Sequence, residues 1–361
     1  MCPEVHKQRW FIIVQSHPFS QSGQSAESIQ SRPIAAVILL IGGSVLLVLS
    51  AALSIAVGAA DISLATVWES IVHFNPDLTS HQVIHQLRIP RVIAGALTGA
   101  AFATAGALMQ GMTRNPIADS GLLGINAGSG LLLAICFAFF PGMSFVHLLF
   151  FSFIGAALAA GIVFGAGSMV KGGLTPVRLV LAGAAVSALM LAISEAIAIH
   201  YNVGQELAFW YAGGMQGVQW AQVKIIAPWI LGSIAIAILI SRSITLLSLG
   251  EDIATGLGQR TGLVKAVGAL LILILAGASV SIVGAVGFVG LIIPHVSRYL
   301  VGVDYRWIIP CSAVLGSLLV VLADIGARMF NPFAETPLGA LIAVIGVPFF
   351  LYLAMNERRE L

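Results

Sequence analysis

Few side chains in this sequence have the types and spacing that catalysis or metal binding requires. His81 and His85 lie four residues apart, so they could share a helix face and bind a haem or a metal ion, although surface histidines show the same spacing. The sequence contains no GxxxxGKS or GxxxxGKT phosphate-binding loop, no HExxH or GxSxG motif, and no carboxylate pair with catalytic spacing. We therefore predict that the chain is not an enzyme and has no ATP-binding P-loop of its own.

The composition is typical of a membrane protein. Of the 361 residues, 58% are hydrophobic and 9% are charged, whereas a soluble domain carries about 25% charged residues. The net charge of +2 is too small to indicate nucleic-acid binding. Cys2, Cys136 and Cys311 lie far apart without CxxC spacing, so they predict neither a disulfide framework nor a metal site. We predict an all-α polytopic membrane protein.

Long apolar runs predict about ten transmembrane helices. The first, residues 33–60, lies too far from the start of the chain and is too long to be a cleaved signal peptide. Residues 1–32 are predicted to be a polar, disordered extension, and residues 33–361 the transmembrane domain. The run at 284–297 is short for a bilayer crossing, so we expect it to be tilted or broken. The other spans are predicted at 90–111, 121–140, 146–169, 177–200, 222–241, 264–283, 307–326 and 337–355.

Small residues recur every fourth position in two of these spans. This spacing predicts a smooth helix face that a neighbouring helix can approach closely. The residues are Gly95, Gly99, Ala103, Ala107 and Gly111 in the second span, and Ala184, Ala188, Ala192 and Ala196 in the fifth.

The distribution of lysine and arginine predicts the orientation. Most of the 17 basic residues fall in cytoplasmic segments if both termini are placed in the cytoplasm, as the positive-inside rule requires. Arg88, Arg91 and Arg328 are exceptions on the outer side. They could form a basic rim for an acidic external partner, or anchor the chain at the membrane interface. Glu195 is the one acid deep in an apolar span; it either lines a translocation path or is hydrated near the outer boundary.

A polar, glycine-rich stretch at 242–265 interrupts the apolar pattern on the predicted cytoplasmic side. Glu251 and Asp252 are followed by Gly256, Gly258 and Gly262, with helix-forming residues between them. This pattern predicts two short helices broken at glycines. The insert is either a docking element for a soluble partner or an ordinary solvated loop.

Three long segments resemble the permease subunits of type II ABC importers, the family that takes up ferric siderophores, haem and vitamin B12. The segments are LRIPRVIAGALTGAAFATAGALMQGMTRNPIADSGLLGINAGSG, GAVGFVGLIIPHVSRYLVGVDYRWIIP and LADIGARMFNPFAETPLGALIAVIGVPFF. Their order and spacing also agree with the family. The resemblance runs from about residue 33 to the end of the chain.

The resemblance implies a set of partners. Two permease subunits, identical or paralogous, would form the translocation path at their interface. Two cytoplasmic ATPase subunits, which bind ATP and magnesium, would dock on the 242–265 loop, and a substrate-binding protein would dock outside. The chain would then lie in the bacterial cytoplasmic membrane, perform no chemistry and bind no cofactor itself.

The resemblance also implies roles for individual residues. The ATPase-coupling residues would be Gly250, Glu251, Asp252, Gly256, Leu257 and Gly258. The binding protein would dock on Arg88, Arg91 and Arg328. The cytoplasmic gate would comprise Asn115, Ile117, Thr175, Pro176 and Val177, with Pro176 standing where some members have a small hydroxyl residue.

The expected substrate is a ferric siderophore, of the hydroxamate type, because the segment ELAFWYAGGMQGVQWAQV and the C-terminal part resemble siderophore permeases of Gram-positive bacteria. Haem and cobalamin are the alternatives within the family. A secondary transporter is a more remote alternative, because it would be expected to carry intramembrane charges for ion coupling and would not need the cytoplasmic insert.

Overall fold

The computed structural model describes residues 31–58, 62–119, 121, 124–168, 176–330 and 336–357. These residues form helices and no strands, which confirms the prediction of an all-α membrane protein. The helices are α1 (Pro33–Ala56), α2 (Leu64–Val72), α3 (Thr79–Val83), α4 (Ile89–Thr113), α5 (Ile125–Phe139), α6 (Phe145–Ser168), α7 (Pro176–His200), α8 (Gly204–Ala212), α9 (Trp220–Leu239), α10 (Ser241–Leu249), α11 (Glu251–Gly256), α12 (Thr261–Val283), α13 (Val289–Val301), α14 (Tyr305–Phe330) and α15 (Leu338–Glu357).

Seven helices in the described part of the chain are long and apolar enough to cross a membrane. They are α1, α4, α6, α7, α9, α12 and α14, and each coincides with a predicted span. The other three predicted spans correspond to the shorter apolar helices α5, α13 and α15. The 13 residues of α13 reach about 20 Å, against a hydrocarbon core of about 30 Å. The span is short, as the sequence predicts, but its helix begins at Val289 rather than at 284 and continues unbroken to Val301; the predicted tilt stays a prediction.

Helix α4 lies at the centre of the bundle and packs against α9, α12, α13 and α14. Its close approaches occur at glycines: Gly99 belongs to the predicted four-residue series, whereas Gly106 does not. A Cβ atom on Gly99 would lie 2.2 Å from the carbonyl oxygen of Gly316 in α14, and one on Gly106 would lie 1.9 Å from that of Gly290 in α13. At both crossings the two backbones are therefore in direct contact.

The segment between the first two predicted spans folds into α2, α3 and a π-helical turn, Ile84–Arg88. The interpretation of His81 as a surface residue is wrong, because its side chain is buried and its Nδ1 accepts a hydrogen bond from the backbone amide of Asn75 at 3.1 Å. The ring of Phe74 packs against both His81 and His85. Among the described residues, no group of three His, Cys, Asp or Glu side chains is placed to hold a metal ion.

Candidate coupling insert and arginine cluster

The polar insert consists of α10 and α11, which are separated by Gly250. The φ angle of Gly250 is +136° and that of Gly258, just after α11, is +80°, and both values lie in regions that glycine adopts readily. Two short helices broken at glycines were predicted, and this prediction is confirmed. The predicted loop at 242–265 is too long, because α12 already begins at Thr261.

The two short helices present different faces to the bundle. Ser241, Ile244 and Leu247 of α10 are buried, whereas in α11 only Ala254 is buried. Three large apolar side chains remain exposed on the insert: Leu249, Ile253 and Leu257. We call these three residues the apolar face of the insert. Exposed apolar groups in a polar segment are typical of a surface that a partner covers.

Glu251, at the start of α11, forms an exposed ion pair with Lys265 of α12. The distance from Lys265 Nζ to Glu251 Oε2 is 2.7 Å. The hydrogen bond and the charge of Lys265 lower the pKa of the Glu251 carboxyl group, so it is ionised at neutral pH. Exposed pairs of this kind contribute only about 0–1 kcal/mol to stability. Glu251 can therefore exchange this partner for another without unfolding the insert.

Arg91 and Arg328 share one buried carboxylate, that of Asp324 in α14. Arg91 donates to Asp324 Oδ1 from Nε at 3.0 Å and from Nη2 at 2.8 Å. Arg328 Nη2 lies 3.0 Å from Asp324 Oδ2. Since Asp324 is only 2% exposed, its negative charge is neutralised within the protein by two guanidinium groups.

Arg88 and Arg328 bind the C-terminal end of α1. Arg88 Nη1 donates to the carbonyl oxygen of Ala56 at 2.8 Å, and Arg328 Nη1 donates to those of Ser54 and Val57 at 2.9 and 2.7 Å. The last carbonyls of a helix have no intrahelical partner and carry partial negative charge, so two guanidinium groups are a favourable cap. The three arginines, for which the sequence left open a basic rim or an interface anchor, are thus brought together; Arg88 is buried and the other two are largely covered.

The structure places only part of the predicted gate. Asn115 and Ile117 lie half-buried in the loop after α4, where Asn115 Oδ1 accepts a hydrogen bond from the Ile117 amide at 3.1 Å. Thr175 lies outside the described residues, as do the side chains of Pro176 and Val177, whose backbone begins α7. The gate assignment therefore stays a prediction.

Glu195 lies on an exposed face of α7, between Ile193 and Ala196, which line a shallow groove together with His200. It does not join the other candidate residues. Both interpretations of this acid, path lining and simple hydration, stay open.

Residues 23–356 match the FecCD transport family. The chain belongs to this family. The match begins within the segment predicted to be a separate N-terminal extension.

Related proteins agree with this assignment. The chain is 56% identical over 339 residues to the iron(3+)-hydroxamate import system permease protein FhuB of Bacillus subtilis (strain 168). The aligned region covers 93% of this chain and 88% of the relative. The chain is 34% identical over 323 residues to the hemin transport system permease protein HmuU of Yersinia pestis, covering 88% and 95% of the two chains. A solved chain described as an inward-facing metal-chelate type ABC transporter superposes with a TM-score of 0.76 at 28% identity, covering 88% of this chain and 98% of that one. The protein is an ABC importer permease.

The sequence did not indicate two sets of buried polar contacts in this permease. One is Asp324, which lies four residues before Arg328; that spacing on a helix is a recognisable ion-pair signal. The other is a set of polar contacts that extends from Asp304, just before α14, to Gln110 in α4. Burial raises the pKa of Asp304, but hydrogen bonds and charge from Arg306 outweigh this effect and hold the pKa below its ordinary value. The signal for this second group was Gln110, a polar residue inside an apolar span.

Proposed function

We propose that this permease carries a ferric hydroxamate siderophore across the cytoplasmic membrane of a bacterium, as one of two permease subunits in an ATP-driven importer. The substrate class is supported by one observation, which is the high identity, over nearly the whole chain, to a relative named as an iron(3+)-hydroxamate import permease. Haem is the second candidate, because a hemin transport permease is also related over most of the chain, at lower identity.

The insert is proposed as the docking site of a separate cytoplasmic ATPase subunit. Its apolar face would supply the buried contact, and the ionised Glu251, with the acidic residue Asp252 beside it, would supply the polar contact at the start of α11. An interface core that is apolar and surrounded by charged groups is the usual anatomy of a specific protein contact. The proposal places Gly250, Gly256, Leu257 and Gly258 at this contact, and it places both termini in the cytoplasm.

The second permease subunit is proposed to pack against α7. The alanine stripe of this helix, predicted from its four-residue spacing, is exposed in the single chain at Ala184, Ala188, Ala192 and Ala196. Small residues on an uncovered membrane helix allow close packing with another helix. The translocation path would then run at this interface, beside Glu195.

A substrate-binding protein is proposed to dock on the outer side near Arg91 and Arg328. Their guanidinium groups are held by Asp324 but retain some exposed surface. Together with Arg88 they form a group of arginines on the outer side, which acidic groups of a partner would complement.

The proposed function is tested by reconstituting the permease into liposomes with the ATPase and binding-protein genes of its own genome. We expect ATP-dependent uptake of a radiolabelled ferric hydroxamate, and no uptake without ATP. Uptake of haem or cobalamin in its place would refute the substrate class and retain the importer. If no ATPase subunit co-purifies with the permease, the importer assembly itself is refuted.

Reversal of charge at the insert is expected to uncouple the importer. In Glu251→Lys the new cation faces Lys265, and one of the two acids at the docking surface is lost. Uptake should therefore fall at least about tenfold, which is the factor that a loss of about 1.4 kcal/mol of docking free energy produces. Gly258→Val should have a similar effect, because φ of +80° is unfavourable for a β-branched residue. The measurement is substrate uptake together with co-purification of the ATPase.

Lys265→Met is the matched control for Glu251→Lys. It breaks the same exposed ion pair but leaves the acid in place, so uptake should stay within about twofold of the unmodified permease. Equal losses in Glu251→Lys and Lys265→Met would show that the ion pair, rather than the docking charge, matters.

A further inference from the structure

A continuous set of polar contacts begins at Thr245 on α10 and enters the bundle. Thr245 Oγ1 accepts a hydrogen bond from the backbone amide of Tyr305 at 3.0 Å and lies 3.3 Å from Asp304 Oδ1. Ile244, the neighbour of Thr245, is fully buried. The insert helix is therefore tied to the first residues of α14 by both a hydrogen bond and buried apolar packing.

Tyr305 carries the contact inward. Its ring, with the side chain of Ile244, lies against Gly111 of α4, where an added Cβ atom would be 2.8 Å from the ring and 2.5 Å from Ile244. Its hydroxyl oxygen accepts a hydrogen bond from Arg298 Nη2 of α13 at 3.2 Å. Tyr305 thus contacts α10 through its backbone amide, and α4 and α13 through its side chain.

Arg298 connects Tyr305 to the crossing of α4 and α13. Its Nη2 also donates to Gln110 Oε1 at 3.0 Å, and Gln110 Nε2 donates to the carbonyl oxygens of Gly290 and Leu291, both at 3.3 Å. Gly290 faces the α4–α5 loop, because a Cβ atom there would lie 2.5 Å from Asp119 Oδ1. The contacts that begin at Thr245 therefore end beside Asp119, in the loop after α4 that also carries Asn115 and Ile117.

Arg298 is held by neutral acceptors. In the part of the chain that the structure describes, its hydrogen bonds go to a tyrosine hydroxyl and an amide oxygen, and it forms no ion pair. A half-buried charge with neutral partners is a costly arrangement in a membrane protein, and such residues commonly have a functional role. The planar guanidinium also fixes the relative positions of the two groups that it binds.

We infer that Arg298 and Tyr305 are positioning residues that transmit movement of the insert to residues 115–119, which follow α4. The inference rests on the proposed function, because it takes the insert as the ATPase docking site. When α10 shifts, Tyr305 shifts with it, and Arg298 passes the displacement to Gln110 and to the first turn of α13. The loop after α4, which contacts the same turn, then changes its position.

The test uses the complete importer in liposomes and measures the number of ATP molecules hydrolysed per siderophore imported. Tyr305→Phe removes only the hydroxyl group and keeps the ring packing, and Arg298→Gln removes the guanidinium. We expect each to raise this ratio about threefold or more, an effect of about 0.7 kcal/mol, with normal thermal stability and normal ATPase binding. A purely structural role would reduce the amount of assembled importer and leave the ratio unchanged.

Tyr299→Phe is the matched control, because Tyr299 is the next residue after Arg298 and is 80% exposed. Its ratio should equal that of the unmodified importer. Arg298→Lys keeps the charge and one hydrogen bond, so its ratio should lie between those of the unmodified importer and Arg298→Gln.

A double variant distinguishes one pathway from two independent sites. If Arg298 and Tyr305 act in series, Arg298→Gln with Tyr305→Phe should have the same ratio as Arg298→Gln alone. Ratios that multiply, or single variants with an unchanged ratio, would overturn the inference. If the unmodified permease binds no ATPase and imports nothing, the proposed function falls and the inference falls with it.

Discussion

Gly106→Ala is expected to leave little folded permease in the membrane. The new methyl group would lie 1.9 Å from the carbonyl oxygen of Gly290 and 2.4 Å from its Cα atom. These are backbone atoms, which cannot rotate away, so α4 and α13 must separate along the crossing. Overpacking of a core costs about 1–3 kcal/mol, and we expect the upper end of this range or more. The measurement is the yield and thermal midpoint of the detergent-purified protein.

Gly232→Ala provides the matched control on another helix. Gly232 lies within α9, and a Cβ atom there would meet no atom within 4 Å. Because alanine favours helix by about 1 kcal/mol over glycine, the yield and thermal midpoint should be unchanged or slightly higher. If the two variants behave alike, the backbones of α4 and α13 do not cross as closely as the structure describes.

The smooth face of α4 shows what the sequence can and cannot predict. The four-residue spacing of Gly95, Gly99 and Ala103 predicts close packing, since small side chains on one face allow it whatever the neighbour. The partner is not encoded locally: Gly316 and Gly290 are distant in the sequence, and only the tertiary arrangement brings them to α4. Gly106, the closest contact of all, falls outside the four-residue series.

The spans were predictable because a bilayer imposes both length and apolarity on a helix. The prediction is poorest where protein neighbours, rather than lipid, surround the helix. Helix α13 is short and its residues Leu291 and Ile293 are buried, so it does not need the full length of a lipid-facing helix. Similarly, the spacing of His81 and His85 is compatible with surface histidines, whereas in the structure the ring of Phe74 lies over His81.

The arginine cluster was only half predictable. Arginine at the outer end of a span indicates an unusual role, and this drew attention to Arg88, Arg91 and Arg328. The bond of Arg91 to Asp324 joins residues 233 positions apart, so no local pattern reveals it. The capping of α1 likewise depends on tertiary contacts. The sequence therefore left a basic rim and an interface anchor open, whereas the structure shows guanidinium groups largely engaged within the chain.

Asp324→Ala is expected to destabilise the outer half of the permease. It leaves the largely covered guanidinium groups of Arg91 and Arg328 without their shared counter-charge. Removing one partner of a buried ion pair costs about 3–5 kcal/mol, because the remaining charge loses its counter-ion in a poorly solvated site. Arg328 also binds the end of α1, so α1 should detach more readily. The measurements are the thermal midpoint of the purified permease and the rate of proteolysis between α1 and α2.

Asp77→Asn is the control, since Asp77 is an exposed acid in the segment between α2 and α3, and its substitution should leave the thermal midpoint unchanged. A second measurement, the affinity for the binding protein, separates the stabilising role of the arginine cluster from its proposed docking role. For Asp324→Asn, which keeps the shape of the side chain, we expect a lower midpoint with a smaller loss than in Asp324→Ala. If the midpoint is unchanged and only the affinity for the binding protein falls, the arginines serve docking alone and the capping of α1 contributes little to stability.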